Sequence, residues 1–371
     1  MGARALQALY ALPDHEVVQD LIPAITQTHL GHFEALEHIR RYPGIVPVAI
    51  DPADGGRVLW ADLGAHPFRE WQYMYTIQTL AQDDAIAGAF TTDFDILADD
   101  TVLNDAAPPA GFIFHISRCG STLLAKALAR SDANVVINQG GPLQRGFWAT
   151  ITDDFSKPAD PSPENLHMFR NLVLAMARRR ADGQTRSFVK FISWNSLYMD
   201  FARAAFPDLP SVFLYRDPVE VIASVLKETT AALWAKGRVQ AGFLTGGDHL
   251  ATQDMTDTAY LAKCYAEYFR VALAAEQDGL KLINYLNINA ESFDQIIGEG
   301  LRFTPDADEL ETMREQFRYH SKDDSDKTQF RADSAEKQDA MPDADKQMIA
   351  EECGALLEQL DRAPNNLFTA Q

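Results

Sequence analysis

Residues 117–122 read Ser-Arg-Cys-Gly-Ser-Thr, a polar turn between an apolar run (Phe112, Ile113, Phe114) and a Leu/Ala/Lys-rich segment of high helix propensity. A strand that turns sharply into a helix N-terminus aims free backbone N–H groups and the positive end of a dipole at one point. Such a point binds phosphate. Arg118 adds a fixed charge, Ser121 and Thr122 add hydroxyl donors, and Cys119 and Gly120 complete the loop. The nucleoside-triphosphate version of such a loop needs a Lys directly after its second Gly. Here Ser121 follows Gly120, and no glycine stands at the required earlier position. ATP or GTP hydrolysis is therefore disfavoured.

A second strand-to-helix junction follows about a hundred residues later. Val212 to Tyr215 suits a buried parallel strand. Asp217 and Pro218 then mark a helix start, as N-cap carboxylate and first-turn proline. Arg216 ends the strand, and Ser224 lies eight residues on, about two turns into the helix. A third apolar run, within 186–195, carries Lys190 at its polar end.

Arg118-x-Gly120-Ser121-Thr122 after a strand, followed by Arg216, Pro218 and Ser224 at matching offsets, resembles the sulfotransferases that use 3′-phosphoadenosine-5′-phosphosulfate (PAPS). The likeness runs over roughly 110–340 and is nearest to bacterial sulfotransferase-like sequences. It implies that Arg118 and the loop Cys119–Thr122 hold the 5′-phosphosulfate and that Arg216 and Ser224 hold the 3′-phosphate. It implies too that Lys190 contacts the bridging oxygen or the transferring sulfuryl group. A basic loop closes over the 3′-phosphate in that family; Lys327 and Arg331 could serve, although the family's Arg-Lys-Gly triplet is absent. Tyr285, in 280–286, keeps one position of the family's last core strand. The family's general base has no obvious counterpart: Val189 and Gln139 stand where bases often do, leaving His115, with His249 and Glu228 as further candidates.

The expected activity is transfer of a sulfuryl group from PAPS to a hydroxyl or amine of a small-molecule acceptor, with no metal. Two alternatives stay open: a catalytically inactive nucleotide-binding regulatory protein, and an atypical small-molecule kinase. A net charge of −20 disfavours nucleic-acid and anionic-membrane partners. It also points to a neutral or cationic acceptor. Three scattered cysteines argue against a disulfide scaffold, and an Ala at 125 removes the Arg that a thiol phosphatase would need after Cys119. With no apolar run near eighteen residues and no secretory leader pattern, the chain reads as cytoplasmic.

Alternating apolar runs and helical segments predict strands at 112–116, 134–138, 187–192 and 211–215, with helices at 121–130, 163–181, 196–206 and 218–227. That alternation implies right-handed βαβ units, hence an α/β fold: a P-loop-like parallel sheet flanked by helices, residues 111–371. Residues 1–110 read as a smaller α+β module, with strands at 45–50 and 57–61 and a Pro-rich link into the first core strand. Arg178, Arg179 and Arg180 are expected as a solvated helix end. Residues 228–255 are Gly-rich and irregular, the composition of a loop or lid.

Overall fold

Apolar alternation across 45–62 produces an antiparallel pair, β1 (Ile45–Asp51) and β2 (Arg57–Asp62), preceded by helices α1 (Asp14–Leu21) and α2 (His32–Arg41). The structure, a computed structural model, describes residues 13–103, 105–228, 230–322, 325, 328 and 341–369. Helix α3 (Tyr73–Gln82) follows β2 and leads to β3 (Ala89–Asp93), which completes a three-stranded sheet of order β1-β2-β3. The sequence reading has no counterpart for β3. Its five residues carry one large apolar side chain, and pairing supplies the rest: Phe90 lies opposite Trp60, whose indole N–H donates to Thr92 Oγ1 at 3.0 Å.

The second sheet has five strands: β4 (Pro109–His115), β5 (Asn134–Asn138), β6 (Arg186–Lys190), β7 (Ser211–Tyr215) and β8 (Leu280–Asn284). All pair in parallel, in the order β5-β6-β4-β7-β8. Central β4 pairs on both edges, and the layers packed on the sheet's two faces leave Phe112, Ile113 and Phe114 fully buried. Helix α4 (Ser121–Ala129) runs back beneath this sheet, apolar on nearly every face. Helix α5 (Pro163–Met176) starts on the Ser162 side chain, which accepts from the Asn165 N–H. Helix α6 (Pro218–Lys227) starts on the Asp217 carboxylate, which accepts from the Val219 N–H. From β4 the chain steps out to the edge at β5, returns through β6, then crosses to β7. Strand order thus reverses beside β4, and the crevice outside the carboxyl ends there is where such sheets take ligands. The mixed α/β architecture and parallel sheet match the expected fold class. One continuous apolar core joins the two sheets.

Of the three arginines expected in solvent, only Arg179 is exposed. Helix α5 stops at Met176, and Arg178 is completely buried rather than solvated. Its guanidinium donates to the carbonyls of Ile39 (2.7 Å), Tyr42 (3.1 Å) and Ile45 (2.8 Å). Those carbonyls lie at the end of α2 and the start of β1, so one side chain ties the N-terminal sheet to the core. Backbone acceptors, two of them in buried bonds, must find donors, and that demand overrides the helix propensity of the triplet. Arg180 is also buried, its guanidinium 3.5 Å from the centre of the Phe68 ring.

The segment after α6 is partly helical, with short helices at Ala231–Ala235 and Val239–Thr245. Helix α7 (Asp257–Ala274) packs behind it. None of the described helices is long and apolar enough to cross a membrane.

Candidate functional site

Between β4 and α4 the backbone enters the left-handed region three times, at Ser117 (φ 76°), Arg118 (φ 49°) and Gly120 (φ 80°). For the two residues with side chains this costs about 1–3 kcal/mol each. Neighbouring contacts hold the strained turn in place. The Ser117 N–H donates to His115 Nδ1 at 2.9 Å, and the Cys119 thiol donates to the Leu214 carbonyl at 3.3 Å. A side chain at Gly120 would be strained at that φ, and its Cβ would approach Tyr285 and Ile288 to 3.1 Å. Left-handed turns of this kind point consecutive N–H groups to one side, an anion-binding nest. Helix α4 begins directly after it, at Ser121.

Two loop neighbours take structural roles. His115 is buried; its Nε2 lies 2.9 Å from the Phe191 carbonyl, to which it donates, while Nδ1 accepts from Ser117. Burial, with Lys190 nearby, holds its pKa well below the usual imidazole value. Both ring nitrogens are committed, and through them His115 shapes the loop. Cys119 is fully buried, and burial pushes its thiol up to about 11. It is a small residue in the cavity lining, and a raised pKa disfavours the thiolate.

Arg118, Arg216 and Ser224 line one cavity of about 270 Å³, with the loop residues Cys119–Thr122 forming its floor. Register brings them together: β7 lies beside β4, so its last residues and the first turns of α6 flank the loop. Arg216 Nη1 donates to the Arg118 carbonyl at 3.1 Å, and its guanidinium stacks over the Tyr285 ring, 4.0 Å from the centroid. Glu220, one turn into α6, accepts from Arg216 Nε at 2.6 Å and pairs with Nη2. Arg118 pairs with Glu228 (Nη1 to Oε2, 2.8 Å), which Lys322 also contacts at 3.2 Å. Burial alone would raise the Glu228 pKa, but Lys322 and Arg118 overcome it and hold the carboxyl below its usual value. A carboxylate thus already sits on the cations that an anionic ligand would seek.

Lys190 ends β6, on the other side of β4. It is buried and donates to Thr122 Oγ1 at 3.2 Å. Burial lowers its pKa to about 7, with Lys322 adding to the shift and Cys119 opposing it. It faces a second compartment of about 90 Å³, which shares Arg118, Ser121, Thr122 and Lys322 with the first cavity. Trp71 and Gln72, from the N-terminal part, line this compartment too, and the Gln72 amide donates to Gln139 Oε1 at 2.6 Å.

Nine expected residues therefore meet in one cleft: His115, Arg118, Cys119, Gly120, Ser121, Thr122, Lys190, Arg216 and Ser224. Glu228 lies there as well, whereas His249 lines neither cavity. Lys327 and Arg331 lie outside the described residues. Sequence reasoning missed Glu220, Lys322, Trp71 and Trp194. Only Glu220 left a local signal, being four residues after Arg216 at a helix start. The described residues include no cluster of three or more His, Cys, Asp or Glu placed to hold a metal ion.

No protein-family model matches the chain, and no curated protein matches it. Among solved structures it is similar to the sulfotransferase domain from the Synechococcus PCC 7002 olefin synthase. Identity is 15%, the TM-score is 0.37, and the match covers 67% of this chain and 95% of that domain.

Proposed function

We propose that the chain is a sulfotransferase that takes PAPS in the larger cavity and a small hydroxyl or amine acceptor in the smaller one. The observation that carries this is the convergence of Arg118, the loop 119–122, Arg216 and Ser224 on one cavity, with Lys190 in the adjoining compartment and bonded to Thr122, which lines both. Two anion-binding stations, one at each of two neighbouring strand ends, suit a nucleotide phosphorylated at both 5′ and 3′ positions. The nest and Arg118 take the phosphosulfate; Arg216 and Ser224 take the 3′-phosphate. The donor's anion displaces the Glu228 carboxylate from Arg118 and Lys322.

Transfer forms a bond from the acceptor oxygen to sulfur and breaks the bond from sulfur to the bridging phosphate oxygen. Fixed cations at the junction stabilise the charge that develops on those oxygens. Lys190 gives its proton to the bridging oxygen as that bond breaks. The neutral amine then takes the proton released by the acceptor hydroxyl, so Lys190 ends as it began. A lysine with a pKa near neutrality suits both halves of that exchange. His115 positions the loop. Lys327 and Arg331 are proposed to close over the 3′-phosphate.

Thermal shift with 3′-phosphoadenosine-5′-phosphate (PAP) and with Mg·ATP tests the assignment. At 100-fold excess over its dissociation constant, PAP stabilises the fold by about 2.7 kcal/mol, a shift of several degrees. Mg·ATP produces little. A shift with Mg·ATP alone selects the kinase alternative and sinks the assignment.

A further inference from the structure

The smaller compartment has a chemistry opposite to that of the whole chain. Its described lining includes no Asp or Glu, but does include Arg118, Arg145, Lys190 and Lys322; Arg118 and Lys322 also pair with Glu228, and Arg145 with Asp14, both outside this lining. Two of its polar groups are buried without a hydrogen-bond partner: the indole N–H of Trp194, a residue only 1% exposed, and the hydroxyl oxygen of Thr230. A buried donor left unmade is costly, so such groups mark where a ligand's acceptor atoms belong. Trp71 closes another side, with the Lys322 ammonium 5.6 Å from its ring centre.

We propose that the acceptor carries its own anionic group: a small hydroxylated carboxylate, its acid oxygens bonded by Trp194 Nε1 and Thr230 Oγ1. Lys190 and Lys322 supply the balancing charge, and the tryptophan rings bound the apolar body. This rests on the sulfuryl-transfer reading of the adjoining cavity, and it reverses the neutral or cationic acceptor expected from the net charge of −20. Local lining outweighs global charge here, because salt screens exposed charges beyond about 8–10 Å.

Three probes of one shape decide it by calorimetry on the full chain, with and without saturating PAP: 4-hydroxyphenylacetate, its neutral amide, and tyramine. The acid is expected to bind about tenfold more tightly than the amide and tyramine least, in the presence of PAP as in its absence. Trp194→Phe, which removes only the N–H donor and a little volume, is expected to cost the acid about five- to tenfold. Equal affinities, a preference for tyramine, no measurable binding of any probe, or an acid displaced by PAP each overturn the proposal. The parallel PAP titration reports on the donor cavity separately: acid selectivity without PAP binding would sink the nucleotide assignment and overturn the acceptor role with it, whereas PAP binding without acid selectivity would overturn this proposal alone.

Discussion

Arg216→Ala is expected to lower affinity for PAP by about 100-fold while changing affinity for AMP by less than about fivefold. Hydrogen bonds to charged groups contribute about 1.5–3 kcal/mol, a factor of roughly 10–150. The variant removes more than those bonds, because it strands the buried Glu220 carboxylate, whose charge then repels the 3′-phosphate. An unpaired buried charge also costs about 3–5 kcal/mol of stability. A lower denaturation midpoint is therefore expected alongside the binding loss, and the two effects need separating. In Arg216→Ala/Glu220→Ala the stability should largely return, whereas the preference for a 3′-phosphate should not. If calorimetry shows that the double variant still prefers PAP to AMP as the native chain does, Arg216 does not read the 3′-phosphate.

Lys190 carries the second large effect. Lys190→Arg keeps a positive charge at the junction but fixes its proton, since a guanidinium does not release one in this pH range. Donor affinity is expected to stay within a few-fold, while kcat falls by about 10²–10⁴. Lys190→Met should lose both. The pH dependence follows from the direction of the shift. Burial favours the neutral amine, so in the free protein Lys190 is charged below about 7 and neutral above it. An anionic donor prefers the charged form, so kcat/KM for the donor should decline as pH rises through about 7. A bound anion raises the pKa of its cation, so the matching limb of the kcat profile should lie at higher pH. A kcat/KM profile flat from pH 6 to 9 in the native chain would contradict the role given to this lysine.

Much of this cleft was legible because each station sits at a strand end bracketed by local signals. Apolar runs placed β5 and β7 to the residue, and the Asp217-Pro218 cap placed α6, and with them the polar positions just beyond each strand. What stayed hidden depends on partners distant in sequence. Glu228 and Lys322 meet across 94 residues, and neither carries a local mark of the ion pair. Trp71 comes from a part of the chain whose place beside the loop only tertiary packing decides. Arg178 misled for a related reason: an arginine after a helix ordinarily faces water, and only the three carbonyls of a separate segment reverse that. The loop-shaping part of His115 was hidden too: its two hydrogen bonds are set by Ser117 and Phe191, which no periodicity shows.

The central claim is that one cleft reads phosphate at both ends of an adenosine. Calorimetric titration of the native chain with PAP and with AMP, at one salt concentration, measures that directly. The account predicts that PAP binds about 100-fold more tightly than AMP, the added affinity of one charge-assisted phosphate contact set. Equal affinity for the two nucleotides, or binding of neither, would contradict it.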